Sequence, residues 1–168
     1  MLIRVEEASD RAAVHSVNAA AFGKTGEADL VDALRQQARP IVSLVAQEGD
    51  AIVGHVLFTP VALAGEADRR IMGLGPLAVP PAQQRQGIGS ALVHAGLQRC
   101  RELGYGAVVV LGHPAYYPRF GFAPAAQFGI ACEYDVPAEA FMAVELQADS
   151  LRGAVGVVQY HAAFRSVT

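Results

Sequence analysis

Leu77-Ala78-Val79-Pro80-Pro81-Ala82-Gln83-Gln84-Arg85-Gln86-Gly87-Ile88-Gly89-Ser90-Ala91-Leu92 is the stretch on which the fold turns. An apolar strand ends at two prolines and a polar loop follows. Two glycines one residue apart then open a helix whose inward face is expected to carry Ile88, Leu92, Val93, Ala95, Gly96 and Cys100. Small residues let backbone come close to a ligand, and the start of a helix has unpaired N–H groups at the positive end of its dipole. This end is therefore an anion cradle, and it suits a pyrophosphate. Taken alone, Gly87-x-Gly89 also fits a plain Gly-rich turn. Two other nucleotide loops are excluded. A phosphate loop ending in Gly-Lys-Ser/Thr needs a lysine, and the only one, Lys24, lies far away in the chain. Gly73-Leu74-Gly75-Pro76-Leu77-Ala78 spells a dinucleotide-type G-x-G-x-x-A, but Pro76, Pro80 and Pro81 stand where its helix would have to form.

Downstream of the cradle, a helix from Gly87 to Leu103 is closed by Gly104, and Ala107 to Leu111 reads as a buried strand. Strand, helix and strand in that order predict a parallel crossover. Upstream, residues 2–5 read as a strand. Ser9-Asp10 then offers N-caps to a helix with Ala13, Val14, Val17, Ala20 and Ala21 as its stripe. A second helix runs from about Glu27 to Arg39, with Leu30, Val31 and Leu34 on one face and Pro40 as its stop. Ile41 to Ala46 and Ala51 to Val61 form a hairpin about Glu48-Gly49-Asp50, and Gly65-Glu66-Ala67-Asp68 turns into a fourth strand, about Arg70 to Val79. Short helical turns are expected at Pro114 to Phe120 and Pro137 to Phe141, and strands at Ala143 to Leu146 and Val155 to His161. The fold class is α/β with a mixed sheet, mostly antiparallel with one parallel crossover and flanked by helices. Residues 1–168 are read as one domain.

The 168 residues are 52% hydrophobic and 17% charged, enough apolar surface for a packed core rather than a disordered chain. The net charge of −3 and the lack of a basic stripe argue against nucleic acid as a partner. No signal peptide is visible, and no apolar run reaches the roughly 18 residues of a membrane span, so a cytoplasmic location is expected. Cys100 and Cys132 form neither a C-x-x-C pair nor a metal-ligand spacing with the five histidines. Both are expected to be core thiols, and no metal is expected.

A second segment bears on function. Tyr116-Tyr117-Pro118-Arg119-Phe120-Gly121-Phe122 follows the parallel strand, and Gln84-Arg85-Gln86-Gly87-Ile88-Gly89 precedes it. The first resembles the Tyr-x-x-x-Gly-Phe segment, and the second the Q/R-x-x-G-x-G/A motif, of the GNAT superfamily of acetyl-CoA-dependent N-acetyltransferases. The match covers most of residues 1–124. Leu111 to Phe122, together with Gly54-His55-Val56-Leu57-Phe58 and Tyr160-His161-Ala162-Ala163-Phe164, resembles the YhbS-like branch of these acetyltransferases.

The resemblance implies acetyl-CoA as co-substrate and direct transfer to a primary amine in a ternary complex. Its pyrophosphate would sit on main-chain N–H groups of Gln84, Arg85, Gln86, Gly87, Ile88, Gly89 and Ser90, with the Ser90 hydroxyl able to add a contact. Leu77, Ala78 and Val79 would offer backbone to the pantetheine arm as a neighbouring strand does. Arg85 is either a phosphate contact or a solvated loop residue. Tyr117 occupies the position of the general acid, since a phenol can protonate the departing thiolate; Tyr116 packs or lines the acceptor side.

The fourth strand, Arg70 to Pro76, lacks the carboxylate base that many members place there. Glu27, His55 and His113 are the candidates for that task, each with a structural alternative: a helix N-terminal charge, a satisfied sheet residue and a turn cap. A covalent acetyl-enzyme is disfavoured, because Cys100 has no base partner in sequence. A non-catalytic acyl-CoA sensor is the alternative reading. A homodimer is conceivable through the tail strands.

Overall fold

The computed structural model describes residues 1–167, which divide into two compact units. The first comprises Met1–Thr59, Gly75–Gly96 and the C-terminal segment from Ala162; the second comprises Pro60–Leu74 and Leu97–His161.

In the first unit, β1 (Leu2–Val5), β2 (Val42–Glu48) and β3 (Ala51–Leu63) form an antiparallel sheet, with Val5 opposite Leu44 and Val45 opposite His55. The hairpin turn at Glu48–Asp50 is where it was expected. Helices α1 (Arg11–Phe22) and α2 (Gly26–Gln37) bury Val14, Leu30, Val31 and Leu34 together with Val45 and Leu57 of the strands, and Phe164 and Val167 pack against this cluster. Side chains alternate along a strand, so His55, Leu57 and Thr59 share the α1–α2 side of β3 while Gly54 and Phe58 face the other way. There they meet the first half of α3 (Ile88–Glu102). A Cβ at Gly54 would lie 2.8 Å from Ile88 Cγ2, and one at Gly96 would overlap the Phe58 ring.

The start of α1 differs from expectation. A 3-10 turn at Ala8–Asp10 precedes it, and Asp10 gives no side-chain cap to α1. Its carboxylate instead accepts from Glu7 N–H at 2.7 Å and from Arg4 Nη1 and Nη2 at 2.7 and 2.9 Å. A charge-assisted pair with arginine outcompetes the neutral amides of the next helix.

In the second unit, the first residues of β4 (Ile71–Ala78) pair in parallel with β5 (Ala107–Leu111), as the crossover through α3 requires. The register runs from Ile71–Ala107 to Leu74–Val110. β8 (Phe141–Glu145) lies antiparallel to β5 and also pairs with β6 (Ala123–Pro124). A further parallel pair, absent from the sequence reading, joins β7 (Ile130–Cys132) to β9 (Gly156–Gln159), which also pairs with the end of β3. Of the tail strands, β8 and β9 each have two neighbours. Cys100 is buried, but Cys132 is only half-buried, its Sγ accepting the Tyr134 N–H. Among the described residues no helix is long and apolar enough to cross a membrane.

Candidate functional site

Within the first unit the loop from Pro80 to Gly87 joins β4 to α3, where the sequence reading expects the cradle. A 3-10 turn at Pro81–Gln83 ends the run of prolines, and Gln84 Nε2 donates to the Val79 carbonyl at 2.9 Å, tying the loop to the strand it leaves. Arg85 and Gly87 both adopt left-handed backbone, at φ 66° and 82°. A left-handed residue leading into right-handed helix turns successive N–H groups to one side, the geometry of an anion nest. For Gly87 this conformation costs no Cβ strain, and nothing lies within 4 Å of where its Cβ would be. For Arg85, a side chain in left-handed backbone is uncommon and marks a loop held in shape by its surroundings. The first hydrogen bond of α3 runs from Ala91 N–H to the Gly87 carbonyl at 3.0 Å, so the amides of Ile88, Gly89 and Ser90 precede the intrahelical ladder. Gln84, Arg85, Gln86 and Gly87 are exposed, Gly89 and Ser90 half-buried, and Ile88 is buried as the anchor beneath them. Such a loop, with open space over Gly87 and three helix-opening amides ahead of the intrahelical ladder, has the geometry that suits a pyrophosphate.

Leu77 and Ala78 end β4 and Val79 follows it; Ala78 is buried and the other two are half-buried. Of their backbone groups the Val79 carbonyl already takes the Gln84 side chain, so the sequence reading missed a structural task for Gln84.

Within the second unit Tyr117 opens a 3-10 turn, Tyr117–Phe120, that closes on Gly121 at φ 94°, the residue type that a left-handed cap favours. Tyr117 is buried in an aromatic cluster, with its ring centroid 5.1 Å from Tyr116 and 5.6 Å from Phe122 in edge-on contacts. Gly112 lies beneath it, where a Cβ would overlap Tyr117 Cε2. Burial, together with the neighbouring Tyr116, pushes the Tyr117 phenol up to about 12. It therefore keeps its proton throughout the neutral range. Tyr116 is held from outside by Arg119, whose guanidinium lies 4.4 Å over its ring and whose Nε donates to the Tyr116 carbonyl at 2.9 Å. His113 is exposed in the preceding turn, and its carbonyl accepts Tyr116 N–H at 3.0 Å.

Of the remaining candidates, His55 is fully buried and both ring nitrogens are engaged. Nδ1 lies 3.1 Å from Asn18 Nδ2, and Nε2 lies 2.9 Å from Ser43 Oγ. Ser43 Oγ donates to Glu6 Oε1 at 2.9 Å, and Arg35 clamps Glu6 with Nε and Nη2 at 3.2 and 2.6 Å. Desolvation, with Arg35 nearby, lowers the imidazole pKa to about 3, so His55 is neutral. Glu27 stands in the first turn of α2 with Oε1 buried. Burial pushes the Cys100 thiol up to about 12, which leaves it protonated in the core of α3.

Asn18 was not foreseen. It is fully buried on α1, one turn after Val14, where an asparagine interrupting an apolar stripe was the available signal. Gly112 was not foreseen either, because the ring it leaves room for is placed there only by the folded chain.

Comparison with known proteins gives a consistent picture. Residues 11–122 match the acetyltransferase (GNAT) family. The uncharacterized N-acetyltransferase YhbS of Escherichia coli K12 is 39% identical over 165 residues, 98% of each chain. The uncharacterized N-acetyltransferase YjhQ of the same strain is 42% identical over 139 residues, 80% of this chain and 77% of YjhQ. The crystal structure of Escherichia coli YhbS in complex with CoA superposes with a TM-score of 0.91 at 38% identity, covering 98% of this chain and 91% of that one. A GNAT family acetyltransferase from Brucella melitensis in complex with acetyl-CoA gives 0.81 at 37% identity over 97% of each chain.

Proposed function

Because the chain belongs to the acetyltransferase (GNAT) family, we propose that it binds acetyl-CoA on the Gln84–Ser90 cradle and transfers the acetyl group directly to a primary amine in a ternary complex. The observation that carries this is the cradle itself: left-handed backbone at Arg85 and Gly87 running into the free amides that open α3. The two relatives crystallised with CoA and acetyl-CoA support the same ligand. When bound, acetyl-CoA supplies an electrophilic thioester carbonyl and a thiolate leaving group.

The main-chain N–H groups of Gln84 to Ser90 hold the pyrophosphate, the Ser90 hydroxyl adds a donor, and the Arg85 guanidinium screens the charge. Backbone of Leu77 and Ala78, at the end of β4 past the Leu74–Val110 register, and of Val79 just after it, pairs with the amides of the pantetheine arm. Tyr117 is the general acid. Its phenol keeps its proton at neutral pH and gives it up at Oη to the sulfur as the C–S bond breaks, and the proton that the neutral attacking amine sheds as the N–C bond forms returns through solvent to restore the phenol. The aromatic cluster and Gly112 fix its ring, so that the proton is delivered from one position. Tyr116 and His113 belong to the acceptor side, as do Glu27 and His55. His55 acts there through its neighbours, since both ring nitrogens are occupied. Residues 1–168 act as one acetyltransferase domain.

The test is steady-state release of free thiol from acetyl-CoA over a panel of amines, for wild type and Tyr117→Phe. General-acid catalysis contributes about 10²- to 10⁴-fold, so the variant should lose about 10²-fold in kcat while its acetyl-CoA affinity is unchanged. Full turnover by Tyr117→Phe removes the acid role. Acetyl-CoA binding without thiol release from any amine would count against transfer and for a sensor.

A further inference from the structure

Histidine and carboxylate side chains bind a metal ion when their donor atoms converge, and they need not be close in sequence. The cysteine and histidine spacings of this chain hold no such motif, but helices α1 and α2 assemble a convergent set. Joined by only Gly23–Thr25, the two helices pack as antiparallel neighbours within the first unit. Asp29 and Asp32 stand three residues apart on α2 and so share a face. His15 on α1 reaches across to them, its Nε2 lying 3.0 Å from Asp29 Oδ1. One donor atom from each of the three side chains lies within 4.8 Å of the other two.

Spacing and chemistry both fit a small divalent ion. Ligands about 2.1 Å from a metal are about 3.0 Å apart at right angles and about 3.4 Å apart in a tetrahedron. The His15–Asp29 separation already has the span of such an edge, and Asp32 closes the triangle by a small side-chain rotation. Both carboxylates are held from behind, as metal-binding carboxylates usually are. Arg35 Nη1 donates to Asp32 Oδ1 at 2.7 Å and is itself clamped by Glu6, while the Thr25 hydroxyl donates to Asp29. Because Glu6 balances Arg35, the cluster keeps the negative charge of Asp29 and Asp32. The His15 and Asp29 side chains are 34% and 66% exposed, which leaves room for water to complete a coordination shell. One imidazole with two carboxylates suits Zn²⁺ or Mn²⁺, whereas Mg²⁺ and Ca²⁺ prefer oxygen ligands alone.

We propose that His15, Asp29 and Asp32 form a site for a divalent transition-metal ion of the zinc type, which staples α1 to α2. The neutral imidazole binds through Nε2 with its one proton on Nδ1, and the metal bond replaces the hydrogen bond to Asp29. The site is independent of the acetyl-transfer reading, since none of its ligands belongs to the Gln84–Ser90 loop or to the cluster around Tyr117.

Chelator-treated full-length protein is titrated calorimetrically with ZnCl₂ and, separately, with MgCl₂ and CaCl₂. Substoichiometric MnCl₂ added to ¹⁵N-labelled protein then locates the ion through paramagnetic broadening of amide resonances. The expected result is saturable one-to-one zinc binding, at least about tenfold tighter than either magnesium or calcium binding, with broadening centred on His15, Asp29 and Asp32. Zinc at about a hundred times its Kd should raise Tm by about 5–10 °C, as a ligand bound only by the folded chain does. His15→Ala and Asp29→Asn alter exposed side chains, so both variants should fold, and each should weaken zinc binding at least about tenfold. No saturable zinc binding, equal affinity for magnesium, broadening centred on His94 or His161, or unchanged zinc affinity in both variants would overturn the proposal. A wild type that ignores zinc but loses Tm on His15→Ala would show a plain interhelical ion pair in its place.

Discussion

Gly96→Ala sets two effects of opposite sign against each other. Gly96 lies within α3, where replacing an interior glycine by alanine favours the helix by about 1 kcal/mol. The new methyl, however, would overlap Cε1 of Phe58 and lie 2.5 Å from its Cζ, against the roughly 3.5 Å at which carbon atoms pack. Phe58 is fully buried and its ring is rigid, so relief requires the ring or the whole helix to move by about 1 Å or more. Overpacking of this kind costs about 1–3 kcal/mol, and the depth of overlap puts this case at the upper end. The net change is a destabilisation of about 2 kcal/mol, or about 4–8 °C in Tm for a chain of this length. Because α3 carries the cradle at its start, the shift should also weaken acetyl-CoA binding. Thermal melting followed by CD and calorimetric titration of acetyl-CoA read both effects. Gly54→Ala, which meets only the methyl ends of Ile88 and Leu92 at 2.8 and 2.9 Å, should be milder on both counts. A Gly96→Ala protein that melts at or above the wild-type temperature with unchanged affinity would refute the claim that close α3–β3 packing sets the cradle.

Gly112→Ala would press on Cε2 of Tyr117 and leave the cradle alone. It should lower kcat by about tenfold or more, as misplacement of a catalytic group does, with acetyl-CoA affinity retained; equal loss of both would point to general unfolding instead. His55 is the main source of a predicted acid sensitivity. Its imidazole pKa is lowered to about 3 in the folded protein against about 6.5 unfolded, so the unfolded chain binds the extra proton first as pH falls. Stability should be full above about pH 6.5 and fall by about 1.4 kcal/mol per pH unit between there and about pH 3 from this group. His55→Gln should flatten that slope in urea melts recorded from pH 6.5 to 4. An unchanged slope would assign the sensitivity to other groups, beginning with Asp10, whose carboxyl Arg4 holds below its usual range.

The part of the fold proposed to bind acetyl-CoA was legible because its signals are local. Two prolines end β4, two glycines open α3, and the apolar spacing along α3 names its inner face, with no long-range pairing needed to interpret them. The tail was harder, since β6 and β7 are only two and three residues long and exist as strands through partners distant in sequence. Asp10 was misjudged as a cap because its competitor, Arg4, lies in a different element. Among the candidate residues, Tyr117 and the Gln84–Ser90 loop could be named from motifs, but the buried Asn18 beside His55 could not. A buried asparagine carries meaning only through the orientation that His55 and Val14 impose on its amide, and that is a property of packing across α1 and β3. Glu27 was visible as a helix N-terminal charge, whereas its buried, unpaired oxygen was not.

The most direct test of the central claim is calorimetric titration of acetyl-CoA into CoA-free wild type and into Gly89→Glu. A glutamate in the first turn of α3 suits the helix dipole and should leave the fold intact, while it places a carboxylate where the pyrophosphate must sit. Saturable binding by wild type and none by a folded Gly89→Glu is the predicted outcome. Equal binding by both proteins, or no binding by a folded wild type, would contradict the assignment of the Gln84–Ser90 loop as the acetyl-CoA site.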